Sequence, residues 1–427
     1  MSGMTAPGPA TRAVERCARR IAARDDDVRA WAHLDLDGAR AQAARLDAVA
    51  GPAAPLHGVT LGVKDIIDTA GLPTTYGSAA FADRRPTEEA HVVAALRTAG
   101  AVLLGKTVTT ELATYEPGVT CNPRNTGHTP GGSSSGSAAA VADGQVDLAL
   151  GTQTAGSAIR PASFCGVFAL KPTYARWSVH GVLPVALTFD TVGALSRDPA
   201  LLRVTDEVLA GPDEPQRGLP PLSALRVGVL RGPWWERATP SIRQLVETAA
   251  GELGAHVARV VDLDAPSWLA DTEEAHRLLM AIEAATALRP HAELAGDMIS
   301  ERLRTMLAEG AAAGTVRTQW CRRVLSRATD QVRRWFDEVD VLLAPAAPGE
   351  APEGLDSTGD PVFTRLFSAA GTPEVALPVG LGDHGLPLGL QLVGPPDSDR
   401  ALVDHGVAVA GLLGCTATVI PLTKEVS

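Results

Sequence analysis

Residues 131–173 constrain this chain more than any other stretch. They read GGSSSGSAAAVADGQVDLALGTQTAGSAIRPASFCGVFALKPT: a dense Gly/Ser loop, an Ala-rich segment, a short apolar run and a second Gly/Ser turn. Both turns are poor in bulky side chains, so backbone N–H groups and Ser oxygens can approach one small ligand closely. The rest of the composition fits a folded chain around such a feature. Hydrophobic residues make up 45% and charged residues 20% of the 427, which leaves little room for long disordered tracts. The length allows roughly three average domains or one large α/β domain.

Lys and Arg number 38 against 49 Asp and Glu, a net charge of −11. That balance argues against nucleic acid or an anionic membrane as the main partner. Cys17, Cys121, Cys165, Cys321 and Cys415 are odd in number, scattered and free of CxxC spacing. This points to a reducing compartment, the cytoplasm, and to no metal cluster. The N-terminal arginines Arg12, Arg16, Arg19 and Arg20 are mixed with Glu15 and Asp25–Asp27 and lack an apolar h-region, unlike a targeting peptide. No apolar run approaches the roughly 18 residues of a membrane span.

Along the chain, Val14, Cys17, Ala18 and Ile21, then Leu36, Ala39, Ala43 and Leu46, recur at helical spacing before the Gly51-Pro52 break. HGVTLGVKDIIDTAG at 57–71 has a strand pattern ending at Lys64-Asp65. Thr87 is placed to cap a helix reaching about Arg97 with Gly100 as its stop, followed by a strand at 101–104. Residues 174–198 read as loops and short strands, 201–209 as a helix, and 211–221 as a linker or surface loop. A strand at 225–230, a helix at 241–253, a mostly helical 267–338 and a strand at 339–344 precede a loop at 348–359. Strands at 374–377 and 388–393 and a helix at 401–412 close the pattern, with no internal repeat.

Two motifs are decoys. GAVLLGKT at 100–107 matches GxxxxGK[ST], but AVLL is itself a strand and Gly100 closes a helix, so the strand-loop-helix context of a phosphate loop is missing. Gly380, Gly382 and Gly385 satisfy GxGxxG, but Pro387 and a strand follow where a dinucleotide fold needs a helix, so they read as a turn.

Lys64 ends an apolar strand. Alone, it reads as well as a strand-end Lys paired with Asp65 or Asp68, but burial lowers an amine's pKa from its usual value of about 10.4 and makes it a base. A Ser hydroxyl needs a base to become a nucleophile, and the chain has no GxSxG elbow and no obvious His with a carboxylate partner. A neutral Lys acting through a second Ser is the substitute. GGSSSGS then supplies the relay serine and GTQTAGS the nucleophile, with preceding backbone N–H groups as an oxyanion hole.

These residues resemble the amidase signature family. The resemblance runs through GVKDIIDTAGLPTTYGS (62–78), GAVLLGKT (100–107), NPRNTGHTPGGSSSGSAAAVADG (122–144), GTQTAGSAIRPASFCGVFALKPT (151–173) and GLPLGLQLVG (385–394). It implies an α/β fold with a mixed central β-sheet surrounded by α-helices, and a triad of Ser157, Ser133 after a cis Gly132–Ser133 bond, and Lys64. It also implies an oxyanion hole from the N–H groups of Thr154, Ala155, Gly156 and Ser157, and calls for no metal or organic cofactor. The expected organisation is one domain over 1–427, with a signature core at about 55–200 and a more variable helical pocket region at about 263–370.

Where many members read GTDTGGSIRxPA, this chain has Gln153, Ala155 and an Arg160 three positions after Ser157; the residue after GKT is Val108 rather than Asn. The variant is similar to malonamidase, where the corresponding Arg recognises a substrate carboxylate, so Arg160 and Gln153 are the expected substrate contacts and small carboxylate-bearing amides or ureido acids the expected substrates. A structural role for Arg160 stays open. Trp268, Met280, Trp320 and Phe363 are candidate pocket-lining residues, each of which reads more readily as a core or surface position. The expected partners are a small-molecule amide, no nucleic acid, no membrane, and a second copy of the chain in a homodimer. Two other readings are an amidotransferase A-type subunit that releases ammonia from glutamine, and a catalytically silent scaffold.

Overall fold

A computed structural model describes residues 7–49, 54–211 and 213–414, so the Gly51-Pro52 break and Cys415 lie outside the described residues. In chain order the elements are α1 (Pro9–Val28), β1 (Trp31–Leu34), α2 (Leu36–Ala48), β2 (Thr60–Lys64), α3 (His91–Thr98), β3 (Val102–Thr107), α4 (Ser135–Asp143), β4 (Leu148–Gln153), α5 (Ile159–Cys165), β5 (Phe168–Lys171), β6 (Thr191–Ser196) and α6 (Pro199–Ala210). There follow β7 (Arg226–Val229), α7 (Pro240–Gly254), β8 (Arg259–Asp262), α8 (Asp271–Ala287), α9 (Arg289–Ala295), α10 (Glu301–Ala312), α11 (Thr315–Glu338), β9 (Val341–Pro345), α12 (Arg365–Ala370), β10 (Glu374–Leu381), β11 (Pro387–Val393) and α13 (Asp399–Leu412).

All 11 strands share one mixed sheet in the order β1-β3-β2-β4-β6-β5-β10-β11-β9-β7-β8. β3, β2 and β4 run parallel, as do β9, β7 and β8, and the strands between are antiparallel. Parallel neighbours require crossover helices, here α3 and α4. Because β2 and β4 point the same way, Lys64 and the turn after Gln153 emerge at one edge of the sheet, where the loop into α4 also passes. The Ala run has a packing reason: α4 is buried along its whole length, and its small side chains let it lie close to its neighbours.

The second Gly/Ser turn is not the only place where size is limiting. A Cβ on Gly136, in the first turn of α4, would lie 2.2 Å from the Ala30 carbonyl oxygen and 2.4 Å from the Val108 nitrogen. Both obstacles are backbone, so Gly136→Ala is expected to destabilise the protein by roughly 1–3 kcal/mol or more; thermal unfolding of the variant measures it.

The decoys resolve as strand and turn. GKT of GAVLLGKT is the end of β3, and Gly105 lets the chain pass His33, whose carbonyl oxygen a Cβ would meet at 2.1 Å. Gly382 and Gly385 form the turn of the β10–β11 hairpin, Gly382 N–H donating to the Leu386 carbonyl and Gly385 N–H to that of Gly382. Other expectations shift at their edges. α3 starts at His91 without a side-chain cap, so Thr87 does not cap it. β1 and β8 have no counterpart in the sequence reading: both are four-residue strands at the two ends of the sheet, too short and too exposed to carry an alternation signal. Residues 213–221 connect β6 and α6 to β7 within the same sheet. Among the described residues no helix is long and apolar enough to cross a membrane.

Candidate active site

Lys64 is the last residue of β2 and is fully buried. Its Nζ donates to Ser133 Oγ at 2.7 Å and to Thr152 Oγ1 at 2.7 Å. Burial drives its pKa well below the ordinary lysine value, against the opposing pull of Asp190. Both partners are neutral hydroxyls, so nothing adjacent restores the charge that desolvation disfavours. Thr152 does not stand out in the sequence, although it lies inside GTQTAGS.

Ser133 follows a cis Gly132–Ser133 peptide bond and is buried. Its loop is held by its own hydroxyls: Ser135 Oγ donates to the Gly131 carbonyl, Ser134 Oγ to that of Thr152, and Ser137 Oγ to that of Leu150. The two Gly/Ser turns are joined directly, Ser134 N–H donating to the Ser157 carbonyl at 3.2 Å. Ser157 is partly exposed between β4 and α5, and its Oγ makes no hydrogen bond to Ser133 Oγ in this structure. The structure thus brings Lys64 onto Ser133 and sets Ser157 beside them with a free hydroxyl.

The N–H groups of Thr154, Ala155, Gly156 and Ser157 donate to no other described group. Their carbonyl sides are occupied. Thr154 O accepts from His276 Nε2 at 3.0 Å and Ala155 O from Ser368 Oγ at 3.0 Å, while Thr154 Oγ1 donates to Asp190 at 2.7 Å. Burial pushes the Asp190 carboxyl up to about 6 although Thr154 and the N–H groups of Val185 and Ala186 bond to it. Gly156 needs its missing side chain, since a Cβ would lie 2.3 Å from Thr364 Oγ1 and 2.8 Å from Pro361 Cβ.

Gln153 is fully used within the protein. Its Oε1 accepts from the N–H groups of Ala158 and Ile159, both at 3.1 Å, and its Nε2 donates to Ser368 and Glu374. Arg160 is 4% exposed; its Nε donates to the Thr358 carbonyl at 2.8 Å, and its Nη2 to the Gly132 carbonyl at 2.5 Å and to Thr358 Oγ1. Nη1 takes no hydrogen-bond partner among the described residues and lies against Gly156. Burial, aided by the charge of Arg365, pulls the guanidinium down to about 10. Of the four candidate lining residues, Met280 and Phe363 are buried in the core, Trp320 packs against it, and Trp268 carries the Arg327 guanidinium 3.7 Å above its ring. Residues of that segment that reach the 154–157 turn include His276, Pro361, Thr364 and Ser368. A polar residue facing a distant turn carries no periodic signal, which is why the sequence reading missed them.

An Amidase family model matches residues 12–403. The chain belongs to the Amidase family. The amidase fold follows with it, a mixed sheet of 11 strands surrounded by 13 helices among the described residues. The A-type subunit of glutamyl-tRNA(Gln) amidotransferase from Synechococcus sp. (strain RCC307) is 34% identical over 443 residues, covering 91% of each chain. Among solved structures, a chain from a vestigial protein complex tied to the evolutionary origins of an s-triazine catabolic enzyme superposes with a TM-score of 0.85 at 30% identity, covering 97% of both chains. The native peptide amidase of Stenotrophomonas maltophilia does so with a TM-score of 0.78 at 28% identity, covering 95% of this amidase and 94% of that chain.

Two expectations change. The relatives carry the amidotransferase name rather than the malonamidase one that the GTQTAGSAIRP variant suggested. The expected partner set, a small-molecule amide with no nucleic acid and only a second copy of the chain, is overturned by the same relatives, which are named as subunits of a glutamyl-tRNA(Gln) amidotransferase. The physical error lay in the use of net charge. A value of −11 averages the whole surface and says nothing about one contact face, or about a nucleic acid reached through another protein chain.

Proposed function

We propose that this amidase cleaves a carboxylic amide C–N bond through an acyl-enzyme on Ser157. The observation that carries the reading is a fully buried Lys64 with its Nζ 2.7 Å from Ser133 Oγ. Neutral Lys64 takes the Ser133 proton as Ser133 takes that of Ser157, and Ser157 Oγ attacks the carbonyl carbon. The oxyanion is met by the N–H groups of Thr154, Ala155, Gly156 and Ser157. The proton returns through Ser133 to the leaving nitrogen, the C–N bond breaks, and water then hydrolyses the ester by the same relay. Gln153 acts here as a brace, its Oε1 spent on the first N–H groups of the turn into α5 and its Nε2 on Ser368 and Glu374.

The relatives' name favours glutamine as the amide, with the chain as an ammonia-releasing subunit beside partner chains. Glutamine is itself a carboxylate-bearing amide, and small monoamides of dicarboxylic acids share that chemistry. In this reading Arg160 Nη1, beside Gly156, meets the carboxylate. The scattered free cysteines Cys17, Cys121, Cys165 and Cys321 support a cytoplasmic setting.

Fluorophosphonate labelling of Ser157, together with ammonia release from glutamine, dicarboxylic monoamides, ureido acids and neutral amides, tests the reading; no adduct and no turnover of any amide would sink it. Arg160→Ala is expected to reduce kcat/KM for carboxylate-bearing amides about 10–100-fold more than for neutral ones. Equal losses in the two classes would leave Arg160 as a support for Gly132.

A further inference from the structure

His276 on α8 and Arg365 in the first turn of α12 form a buried pair that the reaction above does not use. His276 is fully buried and stacks on Phe189 with ring centroids 4.2 Å apart. Its Nε2 lies 3.0 Å from the Thr154 carbonyl and its Nδ1 3.2 Å from Arg365 Nη1. A carbonyl oxygen only accepts and a guanidinium only donates, so the hydrogen sits on Nε2 and the lone pair on Nδ1. The two neighbours therefore demand the same neutral tautomer. Burial and the Arg365 charge both hold the ring's pKa well below its usual value, in agreement with that tautomer.

The consequence lies one peptide further on. The Thr154–Ala155 unit is trans and planar, so fixing the carbonyl of Thr154 toward α8 turns the Ala155 N–H to the opposite side. Ser368 does the same for the next unit: its hydroxyl holds the Ala155 carbonyl, and the Gly156 N–H turns away from α12. These are two of the four N–H groups that donate to no other described group. A turn of small residues has little stiffness of its own, and a flipped peptide would present a carbonyl where an oxyanion has to sit.

We propose that His276, locked in one tautomer by Arg365, is a positioning residue that holds the Thr154–Ala155 peptide in the orientation the oxyanion hole requires. The inference rests on Ser157 being the nucleophile. It also accounts for Arg365, which is 6% exposed and whose guanidinium makes no ion pair with a described carboxylate.

The test compares wild type, His276→Phe and His276→Gln for two readouts: the second-order rate of Ser157 labelling by a fluorophosphonate, whose phosphoryl oxygen occupies the hole, and kcat and KM on an amide the wild type turns over. His276→Phe keeps the stack on Phe189 and loses both hydrogen bonds. It is expected to slow labelling and kcat by about 10–100-fold with KM changed by less than about twofold. Gln has an acceptor and a donor to offer in place of Nδ1 and Nε2, and is expected to recover most of the rate. A folded His276→Phe that labels at the wild-type rate overturns the proposal, as does a loss that Gln does not rescue, which would assign the ring to packing. Should His276→Phe unfold, Arg365→Met provides the second reading, with a loss in kcat of about tenfold expected as the tautomer is released and an unchanged kcat counting against. A wild type that neither labels nor turns over any amide overturns the amidase reading instead, so the two failures are distinguishable.

Discussion

Ser157→Ala is expected to lower amide turnover by about 10⁴-fold or more while leaving the fold intact. The substitution removes one atom from a partly exposed turn residue whose hydroxyl makes no hydrogen bond among the described residues, so neither packing nor a buried partner is lost. The backbone contact that ties the two Gly/Ser turns uses the Ser157 carbonyl and survives. Ammonia release, with thermal unfolding as the control, measures the effect. A variant retaining more than about a hundredth of wild-type kcat would place the nucleophile elsewhere.

Lys64→Met is expected to abolish turnover to a similar extent, and to make the protein more stable at neutral pH. The amine must be neutral to accept a proton, so wild-type activity should rise with pH through the depressed Lys64 pKa and level off above it. Lys64→Arg should be inactive across the range, because a guanidinium stays protonated. The stability effect follows from the same shift. In the unfolded chain Lys64 binds its proton up to about pH 10.4, whereas in the fold it has released it well below that. Between the two values the unfolded state holds more protons, so stability rises with pH across that window, and at its lower end the buried amine is a cost. Met fills a similar volume without that cost. The gain in unfolding midpoint over wild type should be largest near neutrality and shrink toward pH 10; a variant no more stable than wild type at pH 7 would argue that Lys64 is charged in the fold.

Much of the fold was legible because burial imposes a period. Strands β2, β7, β9, β10 and β11 and helices α7 and α13 fell within a few residues of their expected spans, since each presents a buried face for its whole length. β1 and β8 were not legible, because an end strand of four residues borrows its pairing from a neighbour and needs little apolar pattern. The GxxxxGK[ST] decoy was separable for the opposite reason: a phosphate loop has to leave a strand before its glycines, whereas here Gly100 follows a helix and β3 runs straight through Gly105.

The site divides in the same way. Lys64, Ser133 and Ser157 are visible in the chain because each lies in a motif whose small neighbours leave room for chemistry, and the spacing of those motifs is local. What surrounds them is not. Thr154 is held by His276, 122 residues away, Ala155 by Ser368, 213 residues away, and Arg160 by Thr358, 198 residues away. None of these partners sits in a repeat or a patterned face, since a hydrogen bond between distant loops constrains two atoms and not a periodicity. The sequence alone therefore singled out Lys64, Ser133 and Ser157 and the family whose motifs hold them. Only the tertiary structure decided that both ends of the Gln153 amide bond within the protein, that Arg160 Nη1 lies beside Gly156 with no hydrogen-bond partner among the described residues, and that His276 stands behind the Thr154 carbonyl, because those contacts depend on which atoms of remote segments the folded sheet brings into reach.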